Sequence, residues 1–137
     1  MFERFHENAR RAVLVARNEA QQSGSNHIGS EHLLLGIVRE DSTLVARLSL
    51  REDAIRSRMQ TNAGAPVEHD LPMSVAAKQA LARGAQEADR LGQQVIAPIH
   101  LLMGLLQDEE SLAYELLKSH GVTLAQVEAL ALPAPAH

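Results

Sequence analysis

The chain has 137 residues, of which 45% are apolar, yet it holds only two Phe, one Tyr and no Trp, so a single domain of this size must fill its core with aliphatic side chains. It contains no cysteine, which excludes disulfides, thiolate nucleophiles and thiolate-metal sites together and agrees with a reducing, cytoplasmic setting. The net charge of −4 is unevenly spread, with nine basic and eight acidic residues in 1–65 against four basic and nine acidic in 66–137. Neither half has the basic excess or interleaved aromatics of a nucleic-acid binder.

In chain order, apolar or small residues at Phe5, Ala9, Ala12, Val13, Ala16 and Ala20 recur at helical spacing, so a first helix is expected from Phe5 to Gln22. Gly24 is placed to stop it in a left-handed cap. A short loop, Ser25–Gly29, leads to a second helix with Ser30 as its expected N-cap. That helix is apolar nearly all round over Leu33–Val38, as a buried central helix would be. Gly36 within it implies close helix packing, since an interior glycine costs about 1 kcal/mol relative to alanine. A shorter helix is expected over Ser42–Leu50, running almost directly into another over Arg51–Gln60. Residues 63–72, with Gly64, Pro66 and Pro72, form the expected connector.

The chain then repeats itself. Sliding it by 68 positions aligns 5–49 with 73–117 without a gap, and twelve of these forty-five pairs are identical, among them Glu19/Glu87, Gly24/Gly92, His32/His100, Gly36/Gly104 and Leu44/Leu112. The second copy supplies Ala77, Ala80, Leu81, Ala85 and Ala88 for its first helix, Pro98 for the first turn of its second, Ser111–Ser119 for its third, and the capping-box pattern of Thr123 and Gln126 for its last. Past residue 49 the first copy is four residues shorter, which sets Ile55 opposite Val127. A repeat unit too small to close its own core must bury its apolar face on its copy. The expected architecture is therefore all-α: two pseudo-twofold-related four-helix repeats, 1–62 and 73–132, packed as one domain with a frayed tail at 133–137. No apolar run approaches the roughly twenty residues that span a bilayer, and the N-terminal residues lack a signal-peptide apolar stretch, so no membrane partner is expected.

The opening MFERF, the helix ARRAVLVARNEA, the segment NHIGSEHLLLGIVRE and the recurrence of that pattern resemble the N-terminal domain of the Clp and Hsp100 AAA+ unfoldases, and most of all its ClpC and ClpA branch. The resemblance implies a domain at the mouth of an unfoldase ring that recruits substrates or adaptor proteins to a Clp-type ATP-dependent protease. Its partners would be Clp components, adaptors and client proteins. The alternative is a free-standing accessory that docks on a Clp ring or peptidase core and regulates assembly. The phosphate loop G-x-x-x-x-G-K-[ST] of the ATPase modules is missing, and neither an enzyme nor a cofactor is expected.

In the ClpC branch the segment matching Ile28, Gly29, Ser30 and Glu31 forms a pocket for phosphorylated arginine. The residues support such chemistry on their own. Amides at a helix start, with the Ser30 hydroxyl, form a phosphate cradle, and the Glu31 carboxylate suits a guanidinium. The matching positions of the second copy, Ile96, Ala97, Pro98 and Ile99, have lost glycine, hydroxyl and carboxylate, so a second pocket of that specificity is not expected. The bland reading of Ser30 and Glu31 is a helix cap and an acidic residue set against the helix dipole. His27 and His32 flank the segment, but their spacing fits no metal motif, and an orienting hydrogen bond is the expected role for His32 and His100. Of the two Phe residues, Phe5 is expected to pack in the core, and Phe2 either packs or contributes to an apolar patch for an adaptor or ligand.

Overall fold

The computed structural model describes residues 3–59 and 65–131, which form eight helices. The first copy comprises α1 (Glu7–Gln22), α2 (Ser30–Glu40), α3 (Ser42–Leu48) and α4 (Glu52–Arg58), and the second α5 (Val75–Arg90), α6 (Pro98–Leu105), α7 (Leu112–Ser119) and α8 (Leu124–Ala131). Gly24, Gly92 and Gly121 end α1, α5 and α7 at φ of 71°, 72° and 75°, where a Cβ would be strained.

The core is aliphatic and centred on α2 and α6. Leu33, Leu34, Leu35 and Ile37 of α2 and Leu101, Leu102, Met103 and Leu105 of α6 are all at most 2% exposed. Both helices are crossed closely by the preceding long helix, along Ala9, Ala12 and Ala16 in α1 and Ala77, Ala80 and Gly84 in α5. Glycine is required at each crossing: a Cβ on Gly36 would collide with the Ala12 carbonyl oxygen, and one on Gly104 with that of Ala80.

Two boundaries differ from the sequence reading, each for a tertiary reason. Helix α1 starts at Glu7 rather than Phe5, because residues 4–6 are drawn into extended pairing with the other copy. His6 N–H donates to Ile96 O and Ile96 N–H to Arg4 O, both at 2.8 Å. The pseudo-equivalent bonds, Ile28 N–H to Pro72 O at 2.8 Å and Ser74 N–H to Ile28 O at 2.9 Å, place the lead-in of α5 against the loop before α2. The lead-in of each copy thus pairs with the loop before the other's second helix, which is how the twofold is built. Nor does α3 run into α4: Ser49 takes a left-handed conformation at φ 53°, letting Leu50 turn inward to 5% exposure before α4 begins. Ile55 and Val127 are both fully buried, as their alignment implies.

Candidate functional site

The loop before α2 is locked from within. Ser25, 7% exposed, donates its hydroxyl to His27 O at 2.8 Å and receives the His27 N–H at 3.3 Å. Ile28 is 4% exposed and bridges to Met73, so of the four expected site residues it is a structural one, holding the backbone from the core side. The N-cap of α2 is Gly29, and Ser30 is the first helical residue, one position later than expected. The Gly29 N–H donates to His32 Nδ1 at 2.9 Å, so this amide belongs to the cap. Leu33 N–H closes the first helical bond onto Gly29 O at 3.2 Å. No acceptor among the described residues takes the N–H groups of Ser30, Glu31 and His32, the orphan donors at a helix start.

Ser30 and Glu31 diverge in direction. Ser30 is 5% exposed, and its hydroxyl oxygen receives the Ala113 N–H of α7 at 3.4 Å, across the interface between the copies. The Glu31 carboxyl group, 20% exposed, folds back over Gly29 instead. A Cβ on residue 29 would collide with Glu31 Oε1 and lie 2.8 Å from its carboxyl carbon. Glycine at 29 therefore makes room for the carboxylate two residues later. In the second copy both are replaced, by Ala97 and Ile99.

Glu31 edges a polar cleft of about 390 Å³, lined also by Ser23, Asn26, His27, His32, Arg58 and Leu112. Leu112 comes from α7, so the cleft lies between the copies. Burial is the main force lowering the pKa of His32 from its ordinary value, opposed by the neighbouring Glu31 charge. His100 is lowered likewise by burial. Each histidine accepts the N-cap amide on Nδ1, His32 from Gly29 and His100 from Ala97 at 2.8 Å, which is the orienting role expected of them. Among the described residues no group of three or more His, Asp or Glu is arranged to hold a metal ion.

A concavity of about 440 Å³ overlaps the pseudo-twofold position of this cleft only in part, without Gln93 or His100, and its chemistry differs. Leu44 stands where the first has Leu112, Ile99 for Glu31 and, in the last helix, Leu130 for Arg58. A third concavity, about 460 Å³ and largely apolar, is lined by Phe5, Met73, Lys78, Leu81 and Ile96 at the exchanged lead-in segments. Phe5 is 8% exposed and packs in the core, as expected. Phe2 lies outside the described residues. Glu40 stands 4.0 Å from Arg11, and Asp41 caps α3 by accepting the Leu44 N–H at 3.0 Å, so this acidic pair has structural roles.

Sequence reasoning missed Arg58 and Ser25. Their signal was present in the internal alignment, where Ser25 faces Gln93 and Arg58 faces Leu130, but it lay outside the motif that drew attention.

The chain matches the family model described as the Clp repeat (R) N-terminal domain twice, over residues 4–66 and 72–131. It is 32% identical over 130 residues to the negative regulator of genetic competence ClpC/MecB of Bacillus subtilis, covering 90% of this chain and 16% of that protein. It is 33% identical over 128 residues to the chloroplastic chaperone protein ClpC1 of Oryza sativa subsp. japonica, covering 88% of this chain and 14% of the relative. The chain thus spans about a sixth of the length of these relatives. Among solved structures it superposes on the N-terminal domain of the chaperone ClpD from Arabidopsis thaliana with a TM-score of 0.76 and 28% identity, covering 94% of this chain and 95% of that one. The Hsp104 N-terminal domain of Candida albicans, at 21% identity, shares the fold with a TM-score of 0.75 and covers 93% of this chain and 88% of its own.

Proposed function

Because the chain belongs to the Clp repeat (R) N-terminal domain family, we propose that it is a protein-interaction domain that recruits substrates or adaptors to a Clp-type ATP-dependent protease, with a receptor for phosphorylated arginine in its first copy. One observation carries the second part: the Glu31 carboxylate, held over Gly29 at the start of α2, edges a polar cleft whose other walls bring hydroxyl, amide, imidazole and guanidinium groups. A carboxylate hydrogen-bonds a guanidinium through paired N–H groups. A phosphoryl group joined to that guanidinium needs hydrogen-bond donors near the carboxylate, and the other groups lining the same cleft are of that type. In the corresponding concavity of the second copy Ile99 stands for Glu31 and Leu130 for Arg58, and the carboxylate that lines it, Asp41, caps α3 through the Leu44 N–H.

The test is calorimetric titration with phosphoarginine, using arginine and inorganic phosphate as controls. One equivalent of saturable binding that disappears in Glu31→Ala supports the reading. Absence of binding at millimolar phosphoarginine overturns the receptor and leaves recruitment to other surfaces of the domain.

A further inference from the structure

The two copies treat one histidine differently. In the second copy His100 is held at both ring nitrogens: Nδ1 accepts the Ala97 N–H, so the ring proton sits on Nε2, and that N–H is taken by the Gln93 side-chain oxygen. The Gln93 amide nitrogen goes on to donate to Ala131 O at 3.0 Å, closing the space between loop and last helix. In the first copy His32 Nδ1 accepts the Gly29 N–H in the same way, which puts the proton on Nε2 there too. The residue that would meet it is Ser25, whose short side chain is turned to the His27 backbone. No described residue takes up His32 Nε2–H. The side chain of His32 is 8% exposed and lines the polar cleft, so this donor is left to whatever enters. The cleft opens where, in the other copy, the Gln93 side chain closes the gap.

Arg58 belongs to the same wall. It stands where the second copy has Leu130, it lines the cleft, and no carboxylate among the described residues pairs with it. By contrast Arg56 of the same helix bonds Glu19 at 2.7 Å and Glu52 at 2.9 Å. An imidazole N–H and a guanidinium together form an anion-binding pair, and the Glu31 carboxylate sits at the edge of the same cleft for a cation.

We propose that His32 Nε2–H and the Arg58 guanidinium form the seat for the phosphoryl group of a phosphorylated guanidinium in the first copy, and that Ser25 leaves this seat open where Gln93 closes its counterpart. This inference rests on the phosphoarginine reading and adds the residues that bind the anionic half. The role passes from Ser30, which is 5% exposed and turned toward the Ala113 N–H rather than into the cleft, to two residues outside the motif. It also gives the seat a donor that stays neutral when bound: Nδ1 must remain unprotonated to hold the Gly29 amide, so the histidine acts by hydrogen bonding and Arg58 supplies the charge.

Replacement of Ser25 by the residue of the other copy, Ser25→Gln, tests this directly. The new side chain should take the His32 Nε2–H and reach the Met59 carbonyl, the counterpart of Ala131 O, and so keep the fold while filling the seat. The wild type, Ser25→Gln and Arg58→Ala are titrated with phosphoarginine, inorganic phosphate and arginine, with thermal melts alongside. The His32 ring nitrogens are followed by ¹⁵N NMR. The expected result is a loss of phosphoarginine affinity of at least tenfold in both variants. Arginine binding should be unchanged in Arg58→Ala, and ligand should shift His32 Nε2 but not His100. If the wild type binds phosphoarginine and both variants bind it equally well, the anion seat is wrong and the Glu31 reading survives. If phosphate binds as tightly as phosphoarginine and Ser25→Gln abolishes both, the seat stands and the phosphoarginine reading falls. Absence of phosphate and phosphoarginine binding with unmoved His32 signals overturns both. Should Ser25→Gln fail to fold, Arg58→Ala, exposed on the last turn of α4, decides alone.

Discussion

Alanine at Gly36 isolates the geometry on which the fold depends. A Cβ built there meets the Ala12 carbonyl oxygen in direct overlap, with the Ala12 carbonyl carbon at 2.8 Å and Cα at 3.1 Å. All three are backbone atoms of α1, so no side-chain rotation relieves them, and the helices must part. Separation loosens a stripe on which Ala9, Ala12, Ala16 and Ala20 are all fully buried. Two terms oppose each other. Glycine to alanine within a helix gains up to about 1 kcal/mol from propensity, while overpacking a filled interface costs about 1–3 kcal/mol and more when backbone has to move. The obstructing atoms place this site at the upper end, giving a net destabilisation of about 2 kcal/mol and a fall in Tm of roughly 6–10 °C. Urea unfolding followed by circular dichroism measures it, with Gly92→Ala as control. Gly92 has nothing within 4 Å of the added Cβ and pays only the left-handed penalty at φ 72°, about 1 kcal/mol. Adding Ala12→Gly to Gly36→Ala should not rescue it, because the collision is with a carbonyl. A Gly36→Ala domain as stable as the wild type would refute the account of the crossing.

Gly29→Ala tests the opposite case, since the obstructing atom is the end of a flexible side chain. The Glu31 carboxylate should swing out, leaving the melting temperature within about 2 °C but lowering phosphoarginine affinity toward that of Glu31→Ala, read by calorimetry. Stability should also depend on pH through His32 and His100. Both are held below the ordinary value of 6.5 by burial, so the unfolded chain binds protons that the folded one refuses. Their contribution is full above about pH 7.5 and declines as pH falls below 6.5 toward the lowered folded values. Glu19, held below 4.5 chiefly by its hydrogen bond from Arg56, gives a separate loss only below about pH 4.5. Thermal melts from pH 8 to 5 check this, and a flat profile would contradict the buried neutral histidines. Finally, Phe5→Ala should cost about 3 kcal/mol in urea unfolding, as expected for a core aromatic. A cost under 1 kcal/mol would mean that the lead-in segment is not part of the core.

Much of this molecule is legible in its sequence because the relevant physics is local or repeats. Helical spacing of small residues located α1 and α5, glycines at 24 and 92 ended them, and Thr123 and Gln126 form the reciprocal cap their spacing implies, at 3.1 and 3.2 Å. The repeat by itself implied the pseudo-twofold and the shared capping role of His32 and His100, since equal residues at equal offsets take equivalent places in the fold. What only the tertiary structure decided are chiefly contacts made across the axis, where each partner lies scores of positions away, and the turn at Ser49, which follows from burying Leu50 in the core. The pairing of residues 4–6 with Ile96 shortened α1. The arrival of α7 turned Ser30 inward. The left-handed Ser49 separated α3 from α4. The cleft brings together the loop before α2, the end of α4 and Leu112 of α7, which only the folded chain places side by side. A serine's hydrogen bonds follow from what stands beside it, and for Ser25 and Ser30 the chain had to fold before that was decided.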